Sequence, residues 1–445
     1  MLVHIGLDDT DSRSGECTTH ISTRIISRLG KNIKFIDYPN LIRLNPNVPW
    51  KTKGNAAICL RFYTNNPQHV FNEACKIVTD HASREAHPGV VLYKGDVIPD
   101  DLRRLYLDAL TGIVSRKRVR DLLNRFNIMS KGGLGIVGAL ASIGADLNID
   151  YTYELLVYRH KEMWGKKRKI NYESVMNMNE VTKPYTFNNV DPDKKKILAS
   201  PNGPDPVLIG IRGEEPHHLI NALNLLDLGE SIESFMIFRS NQGTGVHLLN
   251  ELRLDRLKSF DSGYVYGYVA KKARIEQGGH VYFRLYDFNG GCNCAVYQPT
   301  GNLRSVALSL LEEDYVRVAG GVRKPSSKHS SVLNVEEINV ISLINAFEYK
   351  NPICKDCGRR MTSLGKMQGY DCKICSFRDR EAKKIKIPIK RTINMGTYLP
   401  PPRAHRHLTK PNSRKGLEKK SYFSKMNQKW FYFSNELVKP ISDLS

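Results

Sequence analysis

"LVHIGLDDTDSRSGECTTHISTRIISRLG", residues 2–30, decides how the chain begins to fold. Its first five residues read as a buried strand, and 17–30 read as an amphipathic helix ending at Gly30. Between them Asp8, Asp9 and Asp11 crowd into four residues. Carboxylates this close repel one another unless something cationic binds them. Magnesium takes oxygen ligands and usually arrives with nucleotide phosphates, so it is the natural candidate. If the first strand is of the parallel type, its carboxyl end lies where α/β sheets bind ligands. The competing reading is local: Asp11 or Ser12 could satisfy amides at the start of the helix. Thr18 could equally cap, pack or accept a phosphate, and chemistry alone does not choose.

Working outward, residues 35–63 read as strand, Pro-punctuated loop and strand. Residues 67–82 read as a helix, 89–94 as a strand, and 99–125 as basic and helical. This alternation makes the N-terminal domain α/β. The loop "IRLNPNVPWKTKGNAA" (42–57) sets Arg43, Lys51 and Lys53 beside Gly54 and Asn55. Cations and bare amides in one loop suit phosphate oxygens, an ordinary surface loop being the alternative. "GLGIVG" (133–138) has the glycines of a dinucleotide fingerprint, but follows basic helical sequence rather than a strand. Tight helix packing and close backbone approach to a ligand both account for it better. Strands at 151–159, 206–213 and 231–240 with a helix at 216–227 then form a small α+β domain of ferredoxin-like pattern. From Gly263 come five short strands with a helix between the third and fourth, the order of an OB-fold, another small barrel being the alternative.

The strongest single motif is Cys354, Cys357, Cys372 and Cys375, spaced C-x₂-C-x₁₄-C-x₂-C. Two such knuckles set four thiolates around a tetrahedral zinc and leave no open position, so the site is structural. Cys292 and Cys294 are read as packing residues of the barrel. On that barrel Tyr264, Tyr266, Tyr268, Tyr282, Phe283, Tyr286 and Phe288 alternate with Lys271, Lys272, Arg274 and Arg284. Aromatic faces stack on unpaired bases while cations follow the backbone, although strand alternation buries part of this set.

Charge points the same way. The 445 residues carry 67 Lys and Arg against 45 Asp and Glu, and residues 351–445 alone hold 22 against 7. So skewed a basic region is the footprint of a polyanion, most often nucleic acid. No stretch is long and apolar enough to span a membrane, and the N-terminus lacks the pattern of a secretory signal. Nine cysteines, four of them in a metal pattern, suit a reducing compartment, and the expected location is cytoplasmic. Neither a membrane nor a protein partner is implied.

"GLDDTDSRSGECTTH", "LIRLNPNVPWKTKGN", "GIVGALASIGAD", "YTYELLVYR", "DPVLIGIRGE", "SNQGTGVHL", the paired C-x₂-C and "PPPRAHRHLTKP" together resemble archaeal tRNA(Ile) 2-agmatinylcytidine synthetases, from the first strand to about Lys415. The resemblance implies a kinase-like catalytic domain (1–130), a ferredoxin-like domain (131–255) and an OB-fold (262–346). It continues with a zinc ribbon (351–380) and a basic tRNA-binding region (381–445). It also implies an ATP-dependent ligase that joins agmatine to C2 of the wobble cytidine of the isoleucine tRNA with anticodon CAU, so that the tRNA decodes AUA. The C2 oxygen would be phosphorylated, the amine of agmatine would displace it, and AMP and phosphates would be released. Asp8, Asp9 and Asp11 would then be catalytic, with Asp8 and Asp9 on magnesium, and Thr18 would be the phospho-accepting residue. On chemical grounds rather than from the resemblance, Arg43, Lys51 and Lys53, with Gly15, Gly54 and Asn55, would surround the ATP phosphates. Tyr266, Arg274, Arg284, Arg403, His405, Arg406, His407 and Lys410 would grip the tRNA. Acidic residues for the agmatine dication are sought near Glu154, Asp205 and Glu214. Two rival readings remain: a pure nucleic-acid-binding protein, and an ATP-dependent kinase or ligase for a small molecule.

Overall fold

The computed structural model describes residues 1–12, 15–30, 33–52, 54–148, 150–325, 331–419, 426 and 429–434. In chain order the first part comprises β1 (Leu2–Asp8), α1 (Thr18–Leu29), β2 (Lys34–Phe35), β3 (Asn40–Arg43), β4 (Ala56–Tyr63) and α2 (Pro67–His81). It continues with β5 (Gly89–Lys94), α3 (Asp100–Thr111), α4 (Arg116–Arg125), β6 (Met129–Gly132) and α5 (Ile136–Gly144). Each helix has a local cause. In α1 Ile21, Ile25, Ile26 and Leu29 form one buried stripe, and Gly30 ends it at φ 57°. In α2 the Asn66 side chain accepts the His69 amide, with Pro67 in the first turn.

The sheet corrects the expectation of a parallel first strand, because β1 pairs antiparallel with both β4 and β5. The chain leaves α1 through two further short strands and reverses at the 44–55 loop before it reaches β4. Strand–helix alternation carries no information about that extra reversal. The Gly-rich segment, which the sequence reading put at the head of the 131–255 domain, packs its helix α5 on this first sheet. A methyl group at Gly6 of β1 would collide with the Ala139 carbonyl, and Arg61 of β4 donates to the Ile143 and Ala145 carbonyls at 3.1 and 2.6 Å. Helix packing is therefore at work there, α5 lying close against the backbone of β1.

The next part adds β7 (Thr152–Arg159), α6 (Tyr172–Thr182), β8 (Thr186–Phe187), β9 (Val190–Asp191), β10 (Lys196–Ile197), β11 (Val207–Gly213), α7 (Pro216–Asn224) and β12 (Ile232–Ser240). Its strands continue the first sheet in the order β6-β5-β1-β4-β3-β12-β7-β11-β8. The seam is the parallel pairing of β12 with β3, Arg239 opposite Asn40. A buried ion pair between Arg239 and Asp37, the latter also bonded by Asn40 at 2.9 Å, closes it. Then β13 (Ser262–Glu276), β14 (His280–Tyr286), β15 (Gly291–Val296), α8 (Asn302–Ser309), β16 (Tyr315–Arg323) and β17 (Val332–Ser342) form a second sheet. It closes on itself through the β15–β17 pairing, with α8 between the third and fourth strands, and holds its own apolar core.

A stalk of β18 (Ala346–Lys350) and β22 (Ile385–Ile389) bears a three-stranded knot, β19 (Thr362–Ser363), β20 (Tyr370–Asp371) and β21 (Arg378–Asp379). The tail returns to the body. It adds β23 (Gly396–Tyr398) to β17 and β24 (Phe431–Phe433) to β12, with Trp430 buried against Phe35 and Tyr38. Among the described residues no helix is long and apolar enough to cross a membrane.

Candidate active site

A cavity of about 710 Å³ opens at the ends of β1 and β3 and is walled on its far side by β7 and β11. Asp8, Asp9, Asp11, Thr18, Arg43, Lys51, Gly54 and Asn55 all line it. Lys53 lies outside the described residues. Gly15 stands off the wall, where its carbonyl accepts the Ser12 amide at 3.1 Å and closes the acidic turn.

The acidic turn is tightly built. β1 ends at Asp8, and Asp9 reverses the chain at φ 54°, its amide donating to Asp8 Oδ1 at 2.7 Å. Gly135 and Gly138 of the Gly-rich segment press against the Asp8 backbone and carboxylate, where a methyl group would not fit. Burial raises the Asp8 carboxyl well above its ordinary range, and the charges of Asp9 and Asp11 push in the same direction. Burial raises Asp9 too, opposed by the nearby His87. The N-cap of α1 is Cys17, whose side chain makes no capping bond, rather than Asp11 or Ser12. The first turn of α1 carries no acidic residue, and Cys17, Thr18 and Thr19 face the cavity. A helix N-terminus that faces a cavity in this way attracts phosphate. The Thr18 hydroxyl, nearly buried, accepts a hydrogen bond from Thr10 Oγ1 at 3.0 Å.

Opposite the carboxylates stands a cationic wall. Arg43 donates from Nε to Gln242 Oε1 at 3.2 Å and lies 4.0 Å from Glu154. Burial brings its guanidinium down to about 10, so it stays charged at neutral pH. Glu154, buried on β7, accepts from Arg212 Nε at 2.9 Å and from the Gln242 amide. Asn55 turns the loop at φ 48° and returns its carbonyl to the Leu44 amide at 2.9 Å. Gly54 lacks a side chain because Arg43 and His407 fill the space a methyl would need. Arg212 and Gln242 belong to this wall and escaped the sequence reading. The available signal was one Arg in the otherwise apolar "VLIGIRG" and the polar "SNQ" closing "FMIFRS".

Three of the tail cations expected to grip tRNA form ion pairs within the chain, Arg403 exposed and Arg406 and Lys410 partly buried. Arg403 pairs with Asp191 at 3.1 Å, Arg406 with Glu336 at 3.2 Å, and Lys410 with Asp150 at 3.4 Å. His405 is bonded to the Pro400 carbonyl. These cations meet carboxylates of the folded domains, a pairing that charge counting along the chain does not register. His407 reaches the cavity, its Nδ1 2.9 Å from Arg212 Nη2. The guanidinium can only donate, so Nδ1 accepts and Nε2 keeps the proton. Burial, then Arg43 and Arg212, hold this imidazole well below its ordinary value, so it is neutral and a donor rather than a base. Of the three acidic residues considered for an amine, Glu154 and Asp205 line the cavity. Glu214 does not, since it is paired with the buried Arg414 at 2.5 Å.

On the barrel Phe283 is core, as are Cys292 and Cys294. Tyr266 and Tyr268 are exposed and join Tyr264, Tyr286 and Tyr315 in one run of ring contacts. Arg284 on β14 and Arg274 on β13, the latter opposite Tyr282, are exposed farther along the same strands. In the ribbon the four cysteine Sγ atoms lie within 4.8 Å of one another. Backbone amides of Cys375 and Ile374 hold the Cys372 thiol down to about 6, while hydrogen bonds shared among the thiols raise Cys357 and Cys375; a zinc ligand requires the thiolate.

Three family models match the chain: the TiaS TCKD domain over residues 4–67, the TiaS FLD domain over 133–247, and the TiaS C-terminal zinc ribbon domain over 351–393. The chain is 38% identical to the tRNA(Ile) 2-agmatinylcytidine synthetase TiaS of Staphylothermus marinus, across 98% of this chain and 99% of that protein. It is similar to a solved complex of TiaS with isoleucine tRNA and ATP at 33% identity and TM-score 0.86, covering 95% of this chain and 100% of that one. A complex of TiaS with isoleucine tRNA, AMPCPP and agmatine matches at 31% identity and TM-score 0.82, with the same coverages. With likeness running through nearly the whole of both chains, this chain belongs to the tRNA(Ile) 2-agmatinylcytidine synthetase family.

Proposed function

We propose that this chain joins agmatine to C2 of the wobble cytidine of the CAU-anticodon isoleucine tRNA, driven by ATP, giving 2-agmatinylcytidine. One observation carries the reading: a single cavity gathers an acidic strand end, the N-terminus of α1 bearing Thr18, a cationic phosphate-side loop and the carboxylates of Glu154 and Asp205. Neither rival accounts for that set together with the exposed tyrosines. A nucleic-acid-binding protein leaves the cavity without a purpose, and a small-molecule kinase leaves the tyrosine face without one.

The α1 N-terminus, Arg43, Lys51 and the amides of Gly54 and Asn55 receive the triphosphate. Asp8, Asp9 and Asp11 present oxygen donors only, the set magnesium takes, and magnesium held there would neutralise phosphate charge. Thr18, as the phospho-accepting residue, takes a phosphoryl group from ATP during the cycle through its hydroxyl oxygen. The cytidine O2 takes the other of the two outer phosphoryl groups of ATP, AMP remains as the leaving nucleotide, and the Thr18 phosphate is lost to water, so that a poor leaving group on C2 becomes a good one. The primary amine of agmatine forms the new C–N bond at C2, the C–O bond breaks, phosphate departs with that oxygen, and the amine loses its proton to solvent. His407, fixed as a donor, orients an acceptor atom of the phosphate or the base. Glu154 and Asp205 supply negative charge for the dication. The tail cations, tied to carboxylates, serve as tethers, and the tyrosine face with Arg274 and Arg284 takes unpaired bases.

This goes with a kinase-like first domain, a ferredoxin-like second, an OB-fold for 262–346, a structural zinc in the ribbon and a cytoplasmic location. Incubating the zinc-loaded protein with labelled agmatine, ATP, magnesium and the CAU-anticodon isoleucine tRNA should put label into the tRNA. Tight tRNA binding without label under those conditions would reduce the chain to a binding module or a different modifying enzyme.

A further inference from the structure

The loop between β3 and β4 carries the phosphate-side cations, yet it is anchored on the barrel as much as on its own sheet. Asn45 is fully buried. Its Nδ2 donates to the Gly112 and Phe260 carbonyls at 3.0 and 2.8 Å. Its Oδ1 accepts from the Asn47 amide at 2.9 Å and the Ser262 hydroxyl at 3.2 Å, and its carbonyl accepts from Asn55 Nδ2 at 2.7 Å. One residue thus joins the end of α3, the entry to β13 and the far end of the loop. Asn47 makes the second attachment. Its Nδ2 donates to Ser262 Oγ at 2.8 Å, and its Oδ1 accepts from Arg406 Nη1 at 3.0 Å. The amide rests against Gly321 of β16 in space that a methyl group would occupy. Phe260 is held at φ 74°, a conformation rare for a bulky residue, by its amide bond to the Val322 carbonyl at 2.7 Å and by Asn45. Backbone strain of this kind persists only where the surroundings over-determine it.

Asn45, Asn47, Ser262 and Gly321 stand outside the cavity lining, so substrate contact does not explain their arrangement. The loop they hold supplies Trp50, Lys51, Gly54 and Asn55 to the cavity, and the barrel they rest on bears the tyrosine face. We infer that Asn47, seated on Gly321, is a positioning residue through which the barrel sets the phosphate-side loop, so that tRNA engaged on the barrel favours the loop arrangement that binds ATP. This rests on the ATP- and tRNA-dependent reading above. Coupling between two binding events is reciprocal, so ATP strengthens tRNA binding by the same factor that tRNA strengthens ATP binding.

The test compares the full-length, zinc-loaded wild type with Asn47→Ala and Gly321→Ala. Affinity for ATP is measured with and without the CAU-anticodon isoleucine tRNA, affinity for tRNA without ATP, and agmatine incorporation alongside. In the wild type tRNA lowers the Kd for ATP. In both variants the two separately measured affinities stay at the wild-type level, while the gain conferred by tRNA shrinks by about tenfold. Incorporation then falls at low ATP and recovers at saturating ATP. A variant that keeps the full gain overturns the inference, as does a wild type without any gain. Loss of ATP or tRNA affinity measured alone would show a merely structural role and overturns it too. A wild type that shows the coupling but incorporates no agmatine would sink the proposed function and leave this inference standing.

Discussion

Asp8 and His407 face one cavity with opposite electrostatic consequences. The folded chain holds a proton on Asp8 more tightly than the unfolded chain does, because burial and two neighbouring carboxylates penalise its charge. Stability therefore falls as pH rises from the ordinary carboxylate range through the folded value. Asp8→Asn is expected to raise Tm by a few degrees at neutral pH and to abolish agmatine incorporation, as melts and the label assay would record; an unchanged or lower Tm would contradict this. For His407 the sign reverses. Its folded value lies well below 6.5, so the unfolded chain takes the proton first and stability is lost as pH falls through that value. A His407→Asn variant should lose less stability than the wild type between about pH 7 and pH 5, a range around the ordinary imidazole value. The acidic cluster and the loop cations were legible in the sequence because each set is local. Arg212 and Gln242 were not, because only the register of two distant strands brings them to Arg43.

At the scale of elements, the seam between β3 and β12 is the joint on which the cavity depends. Replacing Arg239 with Met leaves the buried Asp37 carboxylate without its cation, and should cost about 3–5 kcal/mol in denaturant unfolding. The ribbon is a separate case, with a small cluster of its own built around Cys354 and Cys372. Cys372→Ser, or chelation, should release zinc and make residues 351–380 sensitive to protease while the β1–β12 sheet melts as before. One zinc per chain by elemental analysis is the matching expectation. Helix and strand positions were legible wherever apolar spacing was strong, as in α1, α2 and β11. Strand direction was not, since β1 reads the same whether its neighbours run with it or against it. Nor was the placement of α5, which follows from Gly6 against Ala139 and from Gly135 and Gly138 against Asp8, contacts made only in the fold.

Over the whole molecule the net charge is +22, with 22 Lys and Arg against 7 Asp and Glu in residues 351–445, and a run of tyrosine rings lies exposed on the barrel, the surface we propose for tRNA. tRNA affinity should fall steeply and log-linearly with salt. Tyr266→Ala should weaken it by about 1–3 kcal/mol at any salt, the worth of one stacked base. The basic excess was legible from composition, but its division was not. Arg403, Arg406 and Lys410 meet carboxylates that lie far away in sequence, and the tail they anchor also carries β24 to the seam. The most direct measurement is mass spectrometry of the nucleosides from the CAU-anticodon isoleucine tRNA after incubation with the chain, ATP, magnesium and agmatine, beside a Thr18→Ala control. The account predicts a cytidine heavier by one agmatine less one water at the wobble position, absent in the control. An unmodified wobble cytidine in tRNA that the active, zinc-loaded protein has bound, whether or not ATP was consumed, would contradict it.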